Sequence, residues 1–214
     1  MRNILNRSDR QIAVLDLEAS ALGTGSYPLE VGVALVRGRA RTIATGASLI
    51  RPSAASLRDG LWSAASAAVH GIPLERAIEE GRRVEQLCDW LNALLKYGTI
   101  VATDAPRYDQ DWLDTLFKAA GREQQFTLYN FQILTSDFNS DQRRQLDYLL
   151  DRAPVPHRAG PDALRLASKL MEAHLGYLRG PSLSSFLPIP KVARPNLQTA
   201  PFWQSSLSPG KAGC

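Results

Sequence analysis

The chain has 214 residues and a mass of 23.5 kDa, which is one ordinary domain with something left over, or at most two small ones. Apolar residues make up 44% and charged residues 21%, a globular composition that excludes wholesale disorder, and no stretch approaches the ~18–20 apolar residues of a membrane span. Two cysteines far apart, Cys88 and Cys214, exclude a disulfide framework and a cysteine-based zinc site. The N-terminus is charged without an apolar core, so the expectation is no secretory signal, no membrane and a reducing cytoplasm.

The net charge of +4 sits entirely at the C-terminal end, where Arg179, Lys191, Arg194 and Lys211 follow residue 178 with no Asp or Glu. Residues 1–178 are therefore neutral, and any polyanion this body handles must be held by local groups, by metal or by the cationic tail. Residues 179–214 hold six prolines and six serines and show no period, which predicts a largely disordered extension of a domain spanning 1–178. Phe186, Phe202 and Trp203 are its apolar points, able to dock on the body or on a partner.

In chain order, Gln11 to Glu18 is a short apolar run ending in acids, which predicts a buried strand. Leu29 to Val36 and Thr42 to Ile50 predict two further strands, joined by the Arg37-Gly38-Arg39 turn into an antiparallel hairpin. Apolar residues recur at helical spacing from Ala77 to Lys96, and a short buried strand, Thr99 to Ala102, follows. A helix from about Tyr108 to Ala120 ends at Gly121. Phe126 to Leu134 suggests a strand, Ser140 to Asp151 a helix, and Pro161 to Leu175 a final helix after the stiff Pro154-Val155-Pro156 loop. Three early strands followed by alternating helix and strand indicate an α/β fold, a mixed sheet with helices on its faces.

Four acids stand where a fold has little use for them. Asp16 and Glu18 lie two apart at a strand end, so their side chains leave the same face. Either the strand end reaches water or a divalent cation compensates the pair, and hard oxygen ligands favour magnesium or manganese. Asp109 opens a helix just after a buried strand, a place where α/β proteins set site residues and also where an acid simply caps a helix. Asp104 suits a turn, and Asp111 and Asp114 read as solvated helix residues. Pro156 and Pro161 restrict the loop around His157-Arg-Ala-Gly-Pro-Asp162, Asp162 falls in the first turn of the last helix, and His157 lies just outside it.

In this order the set resembles the DEDDh family of 3′→5′ exonucleases, the proofreading-subunit, oligoribonuclease and ribonuclease T group. Asp16-Leu17-Glu18 is similar to the family's Asp-x-Glu motif, and His157 with Asp162 to its His-x4-Asp motif. Thr103-Asp-Ala-Pro-Arg-Tyr-Asp109 resembles His-Asn-Ala-x-Phe-Asp, with one extra residue and with Thr103 and Asp104 where His-Asn is common. Tyr27-Pro-Leu-Glu-Val-Gly32 and Val69-His-Gly-Ile72 are similar to two further family segments, and the likeness runs from about residue 11 to 175.

The resemblance implies a ribonuclease H-like fold: a five-stranded mixed sheet, strand two antiparallel, flanked by helices. It implies two divalent cations, Mg2+ or Mn2+, held by Asp16, Glu18, Asp109 and Asp162 around a scissile phosphate, with His157 taking the proton from the attacking water. It also implies single-stranded RNA or DNA 3′ ends as substrate, with Leu17 and the loop from Leu22 to Tyr27 bordering the terminal nucleotide. Glu30 resembles a family glutamate near the 3′ end, or else pairs within the sheet, and His70 reads as a structural loop residue. Homodimers are common in the family. Two other readings share the fold: a nucleic-acid-binding protein that has lost catalysis, and an endonuclease or transferase.

Overall fold

The computed structural model describes residues 11–37, 42–96 and 98–175, and residues 182–186 as backbone. Strand β1 (Ile12–Ala19) is the centre of the sheet, antiparallel to β2 (Pro28–Arg37) and parallel to β4 (Ile100–Thr103). Next, β3 (Thr42–Leu49) completes the hairpin with β2, β5 (Leu128–Asn130) adds parallel to β4, and β6 (Ser182–Phe186) runs parallel along β3. The order is β5-β4-β1-β2-β3-β6.

The expected five strands, with β2 antiparallel, are all present, and a sixth, β6, lies beyond them against β3. Part of the tail expected to lack structure pairs its backbone with β3. An open strand edge offers a row of donors and acceptors that composition does not register. Phe202, Trp203 and Cys214 lie outside the described residues.

Seven helices are described: α1 (Ala54–Asp59), α2 (Ala64–His70), α3 (Leu74–Glu80), α4 (Val84–Leu94), α5 (Pro106–Ala120), α6 (Ser140–Arg152) and α7 (Ala159–Leu175). The long helix expected from Ala77 to Lys96 is two. Between them Arg82 N–H donates to Leu49 O at 2.9 Å and Arg51 N–H donates to Arg82 O at 2.8 Å, which bridges this segment to the end of β3. A Cβ at Gly81 would run into the backbone of Ile50 and Arg51, so the break depends on glycine there. The strand expected over Phe126–Leu134 shrinks to β5 and continues as a 3-10 helix, Phe131–Thr135. Helices α1 and α2 were not expected. They are short, and each starts on a serine (Ser53, Ser63) whose hydroxyl accepts a backbone N–H in the first turn.

Alternation along β1 divides the core. Ala13, Leu15 and Leu17 face a layer built from α4 and α5, with Leu87, Leu91, Leu113 and Phe117. Ile12 and Val14 face the other layer, built from α6 and α7, with Leu146, Leu166 and Leu170. Since side chains alternate with period two, Asp16 and Glu18 continue the face of Ile12 and Val14, the face that α7 covers. The N-terminus of α7 lies directly on β2: a Cβ at Gly32 would collide with the backbone of Ala159 and Gly160. Among the described residues no helix is long and apolar enough to cross a membrane.

Candidate active site

Because α7 approaches β2 without side chains between them, Asp162 in its first turn arrives beside the end of β1. One carboxylate oxygen each from Asp16, Glu18 and Asp162 lies within 4.8 Å of the others. Asp162 is buried and already engaged: Arg158 N–H donates to its Oδ2 at 3.1 Å, and Arg165 Nε reaches its Oδ1 at 3.1 Å.

Asp109 stands outside that group of three but close enough for its charge to act on Asp16. It is not a helix cap, since α5 begins with no side-chain cap bond. Its carboxylate instead accepts from the Thr103 hydroxyl and from Leu17 N–H. Thr103 is fully buried at the end of β4, so the residue that departs from the usual His-Asn pattern is what orients Asp109. Asp104, expected as a turn residue, also carries its charge to the cluster, towards Asp16 and Asp162 and opposite Arg165.

Crowding and burial disfavour ionisation here. Asp16 is pushed up to about 10, first by burial and then by Asp109, Glu18, Asp162 and Asp104. Glu18 rises to about 7 by burial and the charges of Asp162 and Glu30, partly offset by Arg158. Asp109 rises to about 7 by burial, against the lowering effect of its Thr103 bond. Hard carboxylate oxygens gathered this tightly, with too few cationic side chains to balance them, are the donor set that suits a divalent cation.

His157 lies two residues before α7, exposed, with φ 54, the one positive φ outside glycine among the described residues. Its neighbour Arg158 gives its backbone N–H to the Asp162 carboxylate.

The three residues expected to touch substrate are all buried in the chain itself. Leu17 belongs to the α4–α5 core, and Tyr27 packs in a small cluster with Leu29 and Ile72. Glu30 is 4% exposed and holds Arg158 and Ala159. What each offers inward is apolar volume or an ion pair. His70 is buried too, its Nδ1 accepting Ile72 N–H at 3.0 Å at the end of α2, the structural part expected of it.

Side chains that do present surface nearby are Leu22 (65% exposed) and Tyr108 (43% exposed). They line an open groove of about 580 Å3 between the β1–β2 loop and α5, with Arg107 and Asp111 on its wall. Tyr108 is backed by Trp112 at 6.0 Å between ring centroids, and Trp112 Nε1 donates to Ser26 Oγ at 2.8 Å, which ties ring and loop together. The sequence signal was an aromatic one position before a candidate ligand on a helix, where α-helical spacing turns neighbours to different faces.

No protein-family model and no curated protein matches this chain. Solved structures do. Exonuclease I of E. coli, in a zinc-bound complex with single-stranded DNA, is 12% identical with a TM-score of 0.58 over 78% of this chain and 41% of that one. The same enzyme with a dA16 oligonucleotide is 12% identical, TM-score 0.58, over 76% and 41%. Pop2p of S. pombe, in its Mg2+- and Mn2+-bound form, is 18% identical, TM-score 0.55, over 78% of this chain and 83% of that one. The likeness shows the ribonuclease H-like fold. This chain spans about two fifths of the length of exonuclease I.

Proposed function

We propose that the protein is a metal-dependent 3′→5′ exonuclease of the DEDDh type acting on single-stranded nucleic acid. The observation that carries this reading is the convergence of Asp16, Glu18 and Asp162 within 4.8 Å, beside Asp109 and one turn of chain from His157. The four acids would hold two divalent cations, magnesium or manganese. Bound there, the cations supply Lewis acidity towards the attacking water and the leaving 3′ oxygen.

The chain's own residues do the rest. A ring nitrogen of His157 accepts the proton of the attacking water, the general-base role that imidazole most often takes. Thr103 and Leu17 N–H hold Asp109 against rotation, so that ligand is set before any cation arrives. Arg165 Nε, donating to Asp162 Oδ1, holds that carboxylate in its orientation. Without cations the cluster would repel phosphate, which explains how a neutral body can work on a polyanion only in their presence. Exposed Tyr108, braced by Trp112, gives an unstacked base a ring to lie on, and Leu22 gives it an apolar edge. That exonuclease I is seen with single-stranded DNA, and Pop2p with Mg2+ and Mn2+, supports the substrate class and the cofactor proposed here.

Incubation of the full chain with a 3′-labelled single-stranded oligonucleotide and Mn2+ is expected to release labelled mononucleotide first. Asp16→Ala is expected to abolish both this release and Mn2+ binding by calorimetry. Release from Asp16→Ala equal to that of the parent chain, or cutting of a circular strand, would count against the reading.

A further inference from the structure

Glu18 and Glu30 are register partners across β1 and β2, two carboxylates side by side on the face that α7 covers. Like charges so placed repel unless a cation joins them. Arg158, 128 residues from Glu30 in sequence, does so: its Nε donates to Glu30 Oε2 at 2.9 Å and its Nη2 to Oε1 at 2.6 Å. Ala159 N–H adds a third bond to Oε2 at 2.9 Å. The same Arg158 gives its backbone N–H to Asp162. Behind it, Ala159 rests on the bare backbone of Gly32. The two residues that follow His157 are thus pinned at side chain and main chain together.

His157 itself is held by nothing comparable. It is exposed, and no hydrogen bond of its ring is found among the described residues. Its backbone nevertheless occupies the left-handed region, which a residue with a Cβ adopts only where its surroundings over-determine it. The main chain therefore sets the point and vector from which the imidazole leaves, and the main chain is fixed by what Arg158 and Ala159 grip.

We propose that Glu30 and Arg158 form a clamp that positions His157; the proposal rests on the exonuclease reading given above. Glu30 and Arg158 are positioning residues, acting through the chain rather than on the phosphate. A fork of two parallel bonds fixes both distance and rotation, which the single ammonium of a lysine cannot do.

The test uses the full chain with two variants, Glu30→Gln, which keeps the shape and an acceptor for Ala159, and Arg158→Lys, which keeps the charge. Four quantities are measured: steady-state hydrolysis of a single-stranded 3′-labelled oligonucleotide, Mn2+ affinity by calorimetry, thermal melting, and the long-range 1H–15N correlations of the His157 ring in metal-free protein. Both variants are expected to lose roughly 10- to 100-fold in kcat, the scale of a misplaced reacting group, with KM and Mn2+ affinity within about twofold of the parent. The His157 correlations are expected to shift or broaden. Parental kcat with unmoved correlations overturns the clamp, and so does a fall in kcat matched by loss of Mn2+ affinity and of melting temperature, the mark of a general anchor. If the parent chain hydrolyses nothing, the exonuclease reading falls. The metal-free spectra then decide by themselves whether Glu30 and Arg158 set the His157 ring, unmoved correlations in both variants overturning the proposal.

Discussion

The carboxylate of Asp109 accepts from Thr103 and from Leu17 N–H, one partner from the strand before its helix and the other from the central strand. Removing the hydroxyl should loosen a buried charged hydrogen bond, a loss of about 1.5–3 kcal/mol. Thr103→Val is therefore expected to weaken Mn2+ binding by roughly ten-fold or more in calorimetry while the far-ultraviolet circular dichroism is unchanged. His157→Ala is expected to slow hydrolysis by at least about 100-fold, the usual reach of a lost general base, with Mn2+ affinity retained. At this scale the sequence was informative where a pair lies within one element, as Asp16 with Glu18 along β1, and where an acid opens a helix, as Asp162 in α7. It was silent on Thr103, on Leu17 as a donor through its main chain, and on Glu30 with Arg158. Those pairings exist because distant strands and a helix meet, and no local spacing encodes them.

Among the elements, the contact between α7 and β2 matters most to the site, since it delivers Asp162 to β1. Gly32 permits it. Gly32→Ala would push the start of α7 outward, and is expected to destabilise the protein by about 3 kcal/mol, at the upper end of overpacking costs, and to weaken Mn2+ binding as well. Chemical denaturation and calorimetry on the same sample check both. The strands β1 to β4 were legible from short apolar runs between turns, and α5 and α7 from their apolar period. The break at Gly81 was not, because the apolar period runs on across it and the cause is a backbone bridge to the end of β3. Helices α1 and α2 were missed for another reason: at six and seven residues they are too short to show a period, and serine caps define them instead.

For the whole molecule, the raised acids link folding to pH. With Asp16 at about 10 and Glu18 and Asp109 at about 7, against ordinary values near 4, the folded protein holds protons that the unfolded chain has released. Their contribution to stability is complete below about pH 4 and is lost as pH rises through 7 towards 10. A cation in the cluster replaces those protons, so Mn2+ is expected to raise the melting temperature more at pH 8.5 than at pH 5.5. An equal shift at both would contradict a site made of these acids. The four cations after residue 178 give a separate expectation: removing residues 179–214 should flatten the salt dependence of oligonucleotide binding by at most about three units of the log–log slope.

The direction of β6 bears on that experiment. It runs parallel to β3, hence in the same sense as β1, and its last pair sets Phe186 against Thr45, level across the sheet with Val14. Strand β6 therefore points towards the same end of the sheet as the end of β1 at which Asp16 and Glu18 emerge, three strand widths to the side, or about 15 Å. Five extended residues would bridge that gap, and twenty-eight follow Phe186.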